Sequence, residues 1–554
     1  MKIAFIHPDL GIGGAERLVV DAAVGLQSLG HEVTIFTSRC DRDHCFEEVQ
    51  NGTVKVIVKG DNVVPRTVFG KFYIACAILR QLHLTAYLLT RENATFDAIF
   101  VDQLAFCVPI LKAGLEWWPK SLSSSSSSPS PSSNAVTTLQ SQSLHHNNQR
   151  KRKVKILFYC HFPDKLLAIR QSLIKKLYRL PFDALEAFST ARADVILVNS
   201  RFTQRVFRQA FPGIHKTPGI VYPCVTPASA ADVDHEFVNA IVGAGKLTIV
   251  SVNRFERKKS VELAIRAYAA LNHDKSFNRT VMLVAGGYDA QVPENVEYLT
   301  ELQQACDNLG LNHATVFNVG GHSEASSSSS SSSNKLDKFT AALTAGDKPN
   351  NVIFLPSVST AFKNAALRTS RLLTYTPTNE HFGIVPLEAM LQCVPVLATA
   401  SGGPLETVDD EVNGWLRPAD PTAWTPVISR VLFDMDEDQI RKFGTRGRDM
   451  VLRKFTRNEM ATSIERAFLS SMMTSSLSSS SLTGSDYRTE NNNDDHDYHQ
   501  PAIMRTPGWR DALWLVALSW MAYYCKYGFA FIAPGCSEIL VGIGIVLVVY
   551  YAFF

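Results

Sequence analysis

The chain has 554 residues, and its 55 Lys and Arg nearly cancel its 52 Asp and Glu, leaving a net charge of +3. At roughly 100–200 residues per domain, this length predicts two or three domains, and a hydrophobic content of 46% excludes wholesale disorder. The even charge balance does not suggest nucleic acid, which normally demands a strongly basic face, and ten cysteines without a single C-x-x-C exclude a disulfide scaffold and the common zinc ribbons.

The first strand candidate, Lys2–His7, opens on four apolar residues before His7, too few for a signal-peptide core, so the N-terminal part is expected to stay out of the secretory lumen. It ends in HPDLGIGGAER, where Gly11, Gly13 and Gly14 let backbone approach a ligand ahead of a helix over Ala15–Gly30. Leu18, Ala22, Leu26 and Leu29 share one face of that helix. A glycine-rich tight turn explains the motif equally well. A dinucleotide fingerprint would need glycine where Glu16 stands, and the phosphate-loop pattern G-x-x-x-x-G-K-[ST] is absent.

Further strand candidates follow at Glu32–Thr37, Val54–Val58, Ala98–Val101, Lys155–Tyr159 and Val195–Asn199. Between them, Phe72–Leu89 predicts an amphipathic helix of the first domain, apolar but carrying Arg80 and His83, resting on a membrane or in the core. The strand Lys155–Tyr159 leads into CHFPD, which carries His161 and Asp164 off its carboxyl edge. A lone histidine is more often structural than functional, so position alone leaves His161 a candidate.

A second series runs Leu247–Val252, Val281–Ala285, Val352–Leu355, Leu372–Tyr375 and Val396–Ala398, again with helical stretches between. Runs apolar on both faces and joined by helices predict parallel sheets covered on both sides, hence two Rossmann-like domains facing a cleft. The strand Leu247–Val252 continues into NRFERKKS, placing Arg254, Lys258 and Lys259 where they would trap a diphosphate. A solvated basic helix start is the plain alternative. The segment TNEHFGIVPLEAM sets Glu380 in a loop and Glu388 two turns later on a helix beginning near Val385. Backbone N–H groups around Gly383, Ile384 and Val385 could meet a phosphate or sugar hydroxyl, and the two carboxylates could accept from sugar hydroxyls.

Three stretches cannot bury enough apolar area to order themselves: Ser121–Ser133 continuing to Lys153, Ser326–Ser333, and about Ser470–Pro507. Beyond them, Ala512–Ala533 is almost wholly apolar and at ~1.5 Å per residue reaches about 33 Å, enough for a hydrocarbon core. Ile539–Phe554 is apolar throughout but shorter, and Pro534–Gly535 offers a turn, so a membrane hairpin or anchor is expected over 509–554. Arg505 and Arg510 ahead of the Ala512–Ala533 stretch would leave the preceding domains cytosolic. A buried helix pair is the alternative. The resulting organisation is an N-terminal domain over 1–200 with an insertion at about 121–153, a C-terminal domain over 201–468 with an insertion at about 324–350, a linker over 469–508 and the membrane part.

Taken together, HPDLGIGGAERLVVDAA, FYCHFPDKLL, VNRFERKKSVELAI, GGYDAQVPENVEY and the E-x7-E of NEHFGIVPLEAM resemble glycosyltransferase family 4, with its two-domain GT-B fold. The closer resemblance is to the eukaryotic mannosyltransferases that build dolichol-linked oligosaccharides. It implies GDP-mannose as donor, Man-GlcNAc2-diphosphodolichol as acceptor, and α-1,3 then α-1,6 addition with retention on the cytosolic face of the endoplasmic reticulum. It also implies neighbouring mannosyltransferases as partners and no required metal, because cations can steady the leaving diphosphate. By the same resemblance Glu388 would hold the ribose, Glu380 the transferred sugar, Arg254 and Lys259 (or Lys258) the diphosphate, and His161 the donor sugar. Gly13 and Gly14 would shape the acceptor or phosphate side. The family commonly places glycine or asparagine after the lysine, where this chain has Ser260. Two rival readings share the fold: a transferase using another donor such as UDP-N-acetylglucosamine, and a membrane-tethered scaffold without catalysis.

Overall fold

Seven strands alternate with helices to build each of two sheets in a computed structural model that describes residues 1–42, 44–61, 63–67, 73–91, 96–117, 154–168, 173–227, 235–243, 245–317 and 349–480. The first sheet contains β1 (Lys2–Asp9), β2 (Glu32–Arg39), β3 (Lys55–Val58), β4 (Ala98–Asp102), β5 (Lys155–Cys160), β6 (Val195–Val198) and β7 (Gly219–Ile220). Their order is β3-β2-β1-β4-β5-β6-β7. The second contains β8 (Leu247–Val252), β9 (Thr280–Gly286), β10 (His313–Thr315), β11 (Val352–Pro356), β12 (Leu372–Tyr375), β13 (Val396–Thr399) and β14 (Gly414–Arg417), in the order β10-β11-β9-β8-β12-β13-β14.

Pairings across the centre of each sheet, β1 with β2 and β4 and β8 with β9 and β12, are parallel. In both sheets the order grows outward in two directions from a central pair. That topological switch falls between β1 and β4 in the first sheet and between β8 and β12 in the second. In open α/β sheets, ligands sit beyond the carboxyl ends of the strands at such a point, because the loops there diverge to opposite faces.

Alternation along the strands explains why the runs are apolar throughout. On the second sheet, Val250, Leu283, Ile353 and Leu373 enter one core layer, and their neighbours Ile249, Met282, Val352 and Leu372 enter the other. The second layer also closes over Trp415 and Trp424, both fully buried.

The chain divides into two compact units: Met1–Leu197, Arg208–Gly219 and the described residues from Ile464 on, and Val198–Phe207 with Ile220–Ser463. A linear division near 200 therefore needs three amendments. The chain's described end returns to the first unit, where His31 Nε2 meets Glu465 Oε1 at 2.8 Å, Arg208–Gly219 also belongs to the first, and Val198–Phe207 belongs to the second. Helix Arg457–Ser480 also runs into the segment expected to be an unstructured linker from 469, so that expectation is corrected over 469–480. Its first part packs through Ala461, Ile464 and Phe468, which are buried.

The expected amphipathic helix is present as Tyr73–Arg91, with Arg80 buried against Asp9 at 2.8 Å. Among the described residues no helix is long and apolar enough to cross a membrane. The serine tracts at 121–153 and 326–333, the rest of the linker and the membrane part over 509–554 lie outside the described residues.

Candidate active site

In the second unit the motif residues collect at the switch point. After β8 the chain turns through Asn253–Glu256 into a single 3-10 turn, Arg257–Lys259, and only then enters helix Glu262–Ala269. The two lysines therefore do not occupy a helix start, as the sequence suggested, but a tight turn that points them differently. Ser260 ends the turn at φ 49°, in the left-handed region that favours glycine and asparagine. That requirement accounts for those residue types at this position in the resembling family.

Lys259 turns inward. Its Nζ meets Glu380 Oε2 at 2.6 Å, with 12% and 24% of the side chains exposed, so the pair is screened far less than a surface ion pair. Lys258 instead remains 66% exposed and pairs with Glu256 at 3.0 Å. Of the two lysines, Lys259 is the one that meets Glu380. Arg254, 62% exposed, is held by Glu256 Oε1 at 2.9 Å.

Glu380 is positioned by backbone contact rather than by a regular element. Asn379 adopts φ 54° and Gly383 φ 85° on either side of it. The loop Ser401–Gly403 after β13 presses against it: Gly403 N donates to Glu380 O at 2.8 Å, and Ser401 Oγ accepts from Asn379 N at 3.1 Å. A Cβ on Gly402 would stand 2.5 Å from Glu380 O, and one on Gly403 1.9 Å from Phe382 O. Both glycines are needed for that approach.

Helix Val385–Leu391 begins where expected, with Ile384 just ahead of it, Val385 at its first position and Pro386 next. Glu388 Oε1 accepts from Lys363 Nζ at 2.7 Å, the lysine coming from helix Thr360–Thr369 after β11. Tyr375, at the end of β12, feels the charge of both glutamates. Burial pushes its phenol well above the ordinary value, and the charges of Glu380 and Glu388 push it further. Beside this cluster a cavity of about 240 Å³ is lined by Asn253, Arg254, Gly286, Ser359, Lys363 and Val385, among others. Gly286, at φ 149°, lets β9 close to 1.9 Å of Asn253 O from where a Cβ would be.

The first unit has its own cluster at its switch point. Gly13 precedes helix Gly14–Ser28 and takes up the Glu16 carboxylate, which lies where a Cβ on Gly13 would be, 2.2 Å from Oε2. His161, just beyond β5, meets Asp102 Oδ1 at 2.8 Å, and His7 Nδ1 meets Asp102 Oδ2 at 2.8 Å. Burial works to raise the Asp102 carboxyl, but the two imidazoles, His161 foremost, hold it down at about 2. Gly13, Gly14 and His161 thus gather at the first sheet, and Arg254, Lys259, Glu380, Gly383, Ile384, Val385 and Glu388 at the second.

Sequence reasoning missed Asp102, His7, Lys363, Tyr375 and the Ser401-Gly402-Gly403 loop. Asp102 and Tyr375 each stand at the last position of a strand, which is where functional groups of such sheets belong, and the paired glycines after β13 are a legible turn signal.

Paired cations and carboxylates at the switch of one doubly wound sheet suit a transferase that stabilises a leaving diphosphate. Residues 319–450 match the family model of group 1 glycosyl transferases. The structure resembles Anabaena Alr3699/HepE solved with UDP and glucose (TM-score 0.54, 18% identity, covering 85% of this chain and all of that one). It also resembles the sucrose-phosphate synthase of Thermosynechococcus elongatus (TM-score 0.54, 17% identity, 86% and 99% covered). The fold and the family model together define a glycosyltransferase of the GT-B-like class.

Among curated proteins, the α-1,3/1,6-mannosyltransferase alg2 of Schizosaccharomyces pombe is 46% identical over 474 residues, 85% of this chain and 81% of its own. ALG2 of Yarrowia lipolytica is 44% identical over 84% of this chain and 91% of its own, and ALG2 of Saccharomyces cerevisiae 40% over 84% and 83%. The chain belongs to the ALG2 family of α-1,3/1,6-mannosyltransferases.

Proposed function

We propose that the chain transfers mannose from GDP-mannose to Man-GlcNAc2-diphosphodolichol, first in α-1,3 and then in α-1,6 linkage. The reaction breaks the bond from mannose C1 to the phosphate oxygen and forms one from C1 to the acceptor oxygen on the same face. The acceptor proton passes to the departing phosphate, so no side-chain nucleophile is assigned. The transition state is oxocarbenium-like while negative charge grows on the diphosphate.

The observation that carries this reading is the Lys259–Glu380 pair, which brings a cation and a sugar-binding carboxylate to the switch point from two strand ends. Lys259 and Arg254 neutralise the diphosphate, a role worth about 3 kcal/mol for one well-placed donor. Glu380 accepts from mannose hydroxyls and Glu388 from the ribose, with the backbone of Gly383, Ile384 and Val385 beside them. In the first unit, His161 contacts the donor sugar and the Gly13–Gly14 turn serves the acceptor or phosphate side. The charge is supplied by side chains, so no metal is required.

The apolar segment over 509–554 anchors the chain in the endoplasmic reticulum membrane with both units on the cytosolic face, beside neighbouring mannosyltransferases. Support comes from its length and from Arg505 and Arg510 ahead of its first apolar stretch, Ala512–Ala533. The test is transfer from labelled GDP-mannose to a synthetic lipid-diphosphate chitobiosyl mannoside, with linkage analysis of the product. Two successive additions are expected, each slowed about a hundredfold or more by Lys259→Ala.

A further inference from the structure

Three strand ends of the first sheet converge on one buried carboxylate. His7 on β1 and His161 beyond β5 each bring a ring nitrogen to 2.8 Å from Asp102, one on each oxygen. The side chains of His7 and Asp102 are 0% and 1% exposed, whereas that of His161 is 23% exposed. On the far side of His7, Glu16 Oε1 lies 4.0 Å from Nε2, a buried nitrogen with no hydrogen-bond partner. The groups therefore run in a line from Glu16 through His7 and Asp102 to His161.

Two neutral imidazoles on this carboxylate would leave a bare negative charge in the interior, and one added proton cancels it. Of the two rings, His161 is the one that solvent or a ligand can reach. We propose that Asp102 is a positioning residue that keeps His161 protonated, with His7 competing for the same carboxylate, so that an imidazolium rather than a neutral ring meets an oxygen of the sugar nucleotide. A charge-assisted hydrogen bond of this kind is about twice as strong as a neutral one. The proposal rests on the reading of His161 as a donor contact.

The surrounding charges agree. Burial pushes His161 down, but the carboxylate of Asp102, with a smaller push from Glu16, raises it overall. Among the described residues, Tyr159 stands edge-on to the His161 ring at 5.0 Å, and the Cys160 thiol is pushed up by burial and by Glu186, Asp102 and Asp164. None of these supplies a competing cation.

The test is the pH dependence of kcat and KM for GDP-mannose in the purified full chain, for the unaltered protein and for Asp102→Asn, His7→Phe and His161→Ala. Removing the carboxylate should move the alkaline limb of kcat toward acid by roughly one to three pH units. Removing His7 leaves the whole carboxylate to His161 and should move the same limb the other way. Opposite shifts support the proposal, because damage to packing alone would lower kcat without moving the limb in two directions. An unmoved limb in both variants, or movement in the same direction, overturns it. Should Asp102→Asn fail to fold, His7→Phe decides alone: an alkaline shift supports and no shift overturns. His161→Ala with kcat and KM unchanged would instead remove the donor contact itself, which distinguishes failure of that reading from failure of the positioning role.

Discussion

Lys259 and Glu380 stand 121 positions apart in sequence, yet their charged groups meet at 2.6 Å across the switch point of the second sheet. Neither is part of a regular helix: one ends a 3-10 turn, and the other sits in a loop braced by Gly402 and Gly403. Their partnership makes each the other's positioning group before a substrate arrives. Lys259→Ala should lower kcat with GDP-mannose about a hundredfold or more, as expected for loss of one preorganised donor. Glu380→Ala should fall as far, and the double variant should fall less than the product of the two. Steady-state kinetics of the three variants measure that coupling.

In the proposed function the second pair serves nucleotide binding. Lys363 holds Glu388 at 2.7 Å beside the 240 Å³ cavity. Glu388→Ala should raise the KM for GDP-mannose roughly tenfold, about 1.4 kcal/mol, with a smaller loss in kcat. Lys363→Met, which frees the carboxylate from its partner, should raise KM in the same direction. Isothermal titration with GDP alone checks whether the loss lies in nucleotide binding.

Backbone geometry gives a third expectation. Gly402 has φ 66°, and a Cβ there would stand 2.5 Å from Glu380 O. Gly402→Ala should cost on the order of 1–3 kcal/mol of stability and displace Glu380 as well. Ser260→Val should cost about 1–2 kcal/mol, because a β-branched residue tolerates the left-handed region poorly, whereas Ser260→Gly should keep full activity. Denaturant titration and transfer rate distinguish the two positions: Gly402→Ala lowers both, and Ser260→Gly lowers neither.

The strands of both sheets were legible because a parallel sheet covered on two faces needs continuous apolar runs, and β8 and β12 fell at their expected bounds. Of the strands passed over, β7 and β10 are edge elements of two and three residues, where apolar repetition has no length to show itself, and β14, Gly-Trp-Leu-Arg, holds only two large apolar side chains. Glu380, Glu388, Arg254 and His161 were legible as polar residues following such runs. Asp102 and Lys363 were not, because their significance lies in a partner from another strand or helix, and spacing along the chain does not report it. The return of Ile464 and its successors to the first unit was hidden for the same reason.

A buried carboxylate gives a pH prediction for stability. Glu186 accepts from the N–H groups of Asp164 and Lys165 at 2.7 and 3.0 Å, yet burial first, and Asp164 second, push it up to about 7 from 4.5. The folded state therefore holds this proton more tightly than the unfolded chain, so stability from this group is fully present below about pH 4.5 and is lost as pH rises toward 7. Glu186→Gln, which cannot ionise, should gain on the unaltered protein in thermal midpoint as pH rises across that window. Above it the difference should level off. A constant difference from pH 4.5 to pH 8 would remove the carboxylate's assigned titration.

Side-chain neutralisation of the diphosphate is tested most directly by single-turnover transfer from radiolabelled GDP-mannose to the lipid-diphosphate chitobiosyl mannoside, with and without EDTA. Parallel reactions would use labelled UDP-N-acetylglucosamine. Two mannoses should be added in sequence, at a rate EDTA leaves unchanged and Lys259→Ala lowers about a hundredfold or more, with no label taken from the uridine donor. Label from UDP-N-acetylglucosamine alone, or mannose transfer that stops with EDTA and survives Lys259→Ala, would contradict the assignment of that role to Lys259 and Arg254.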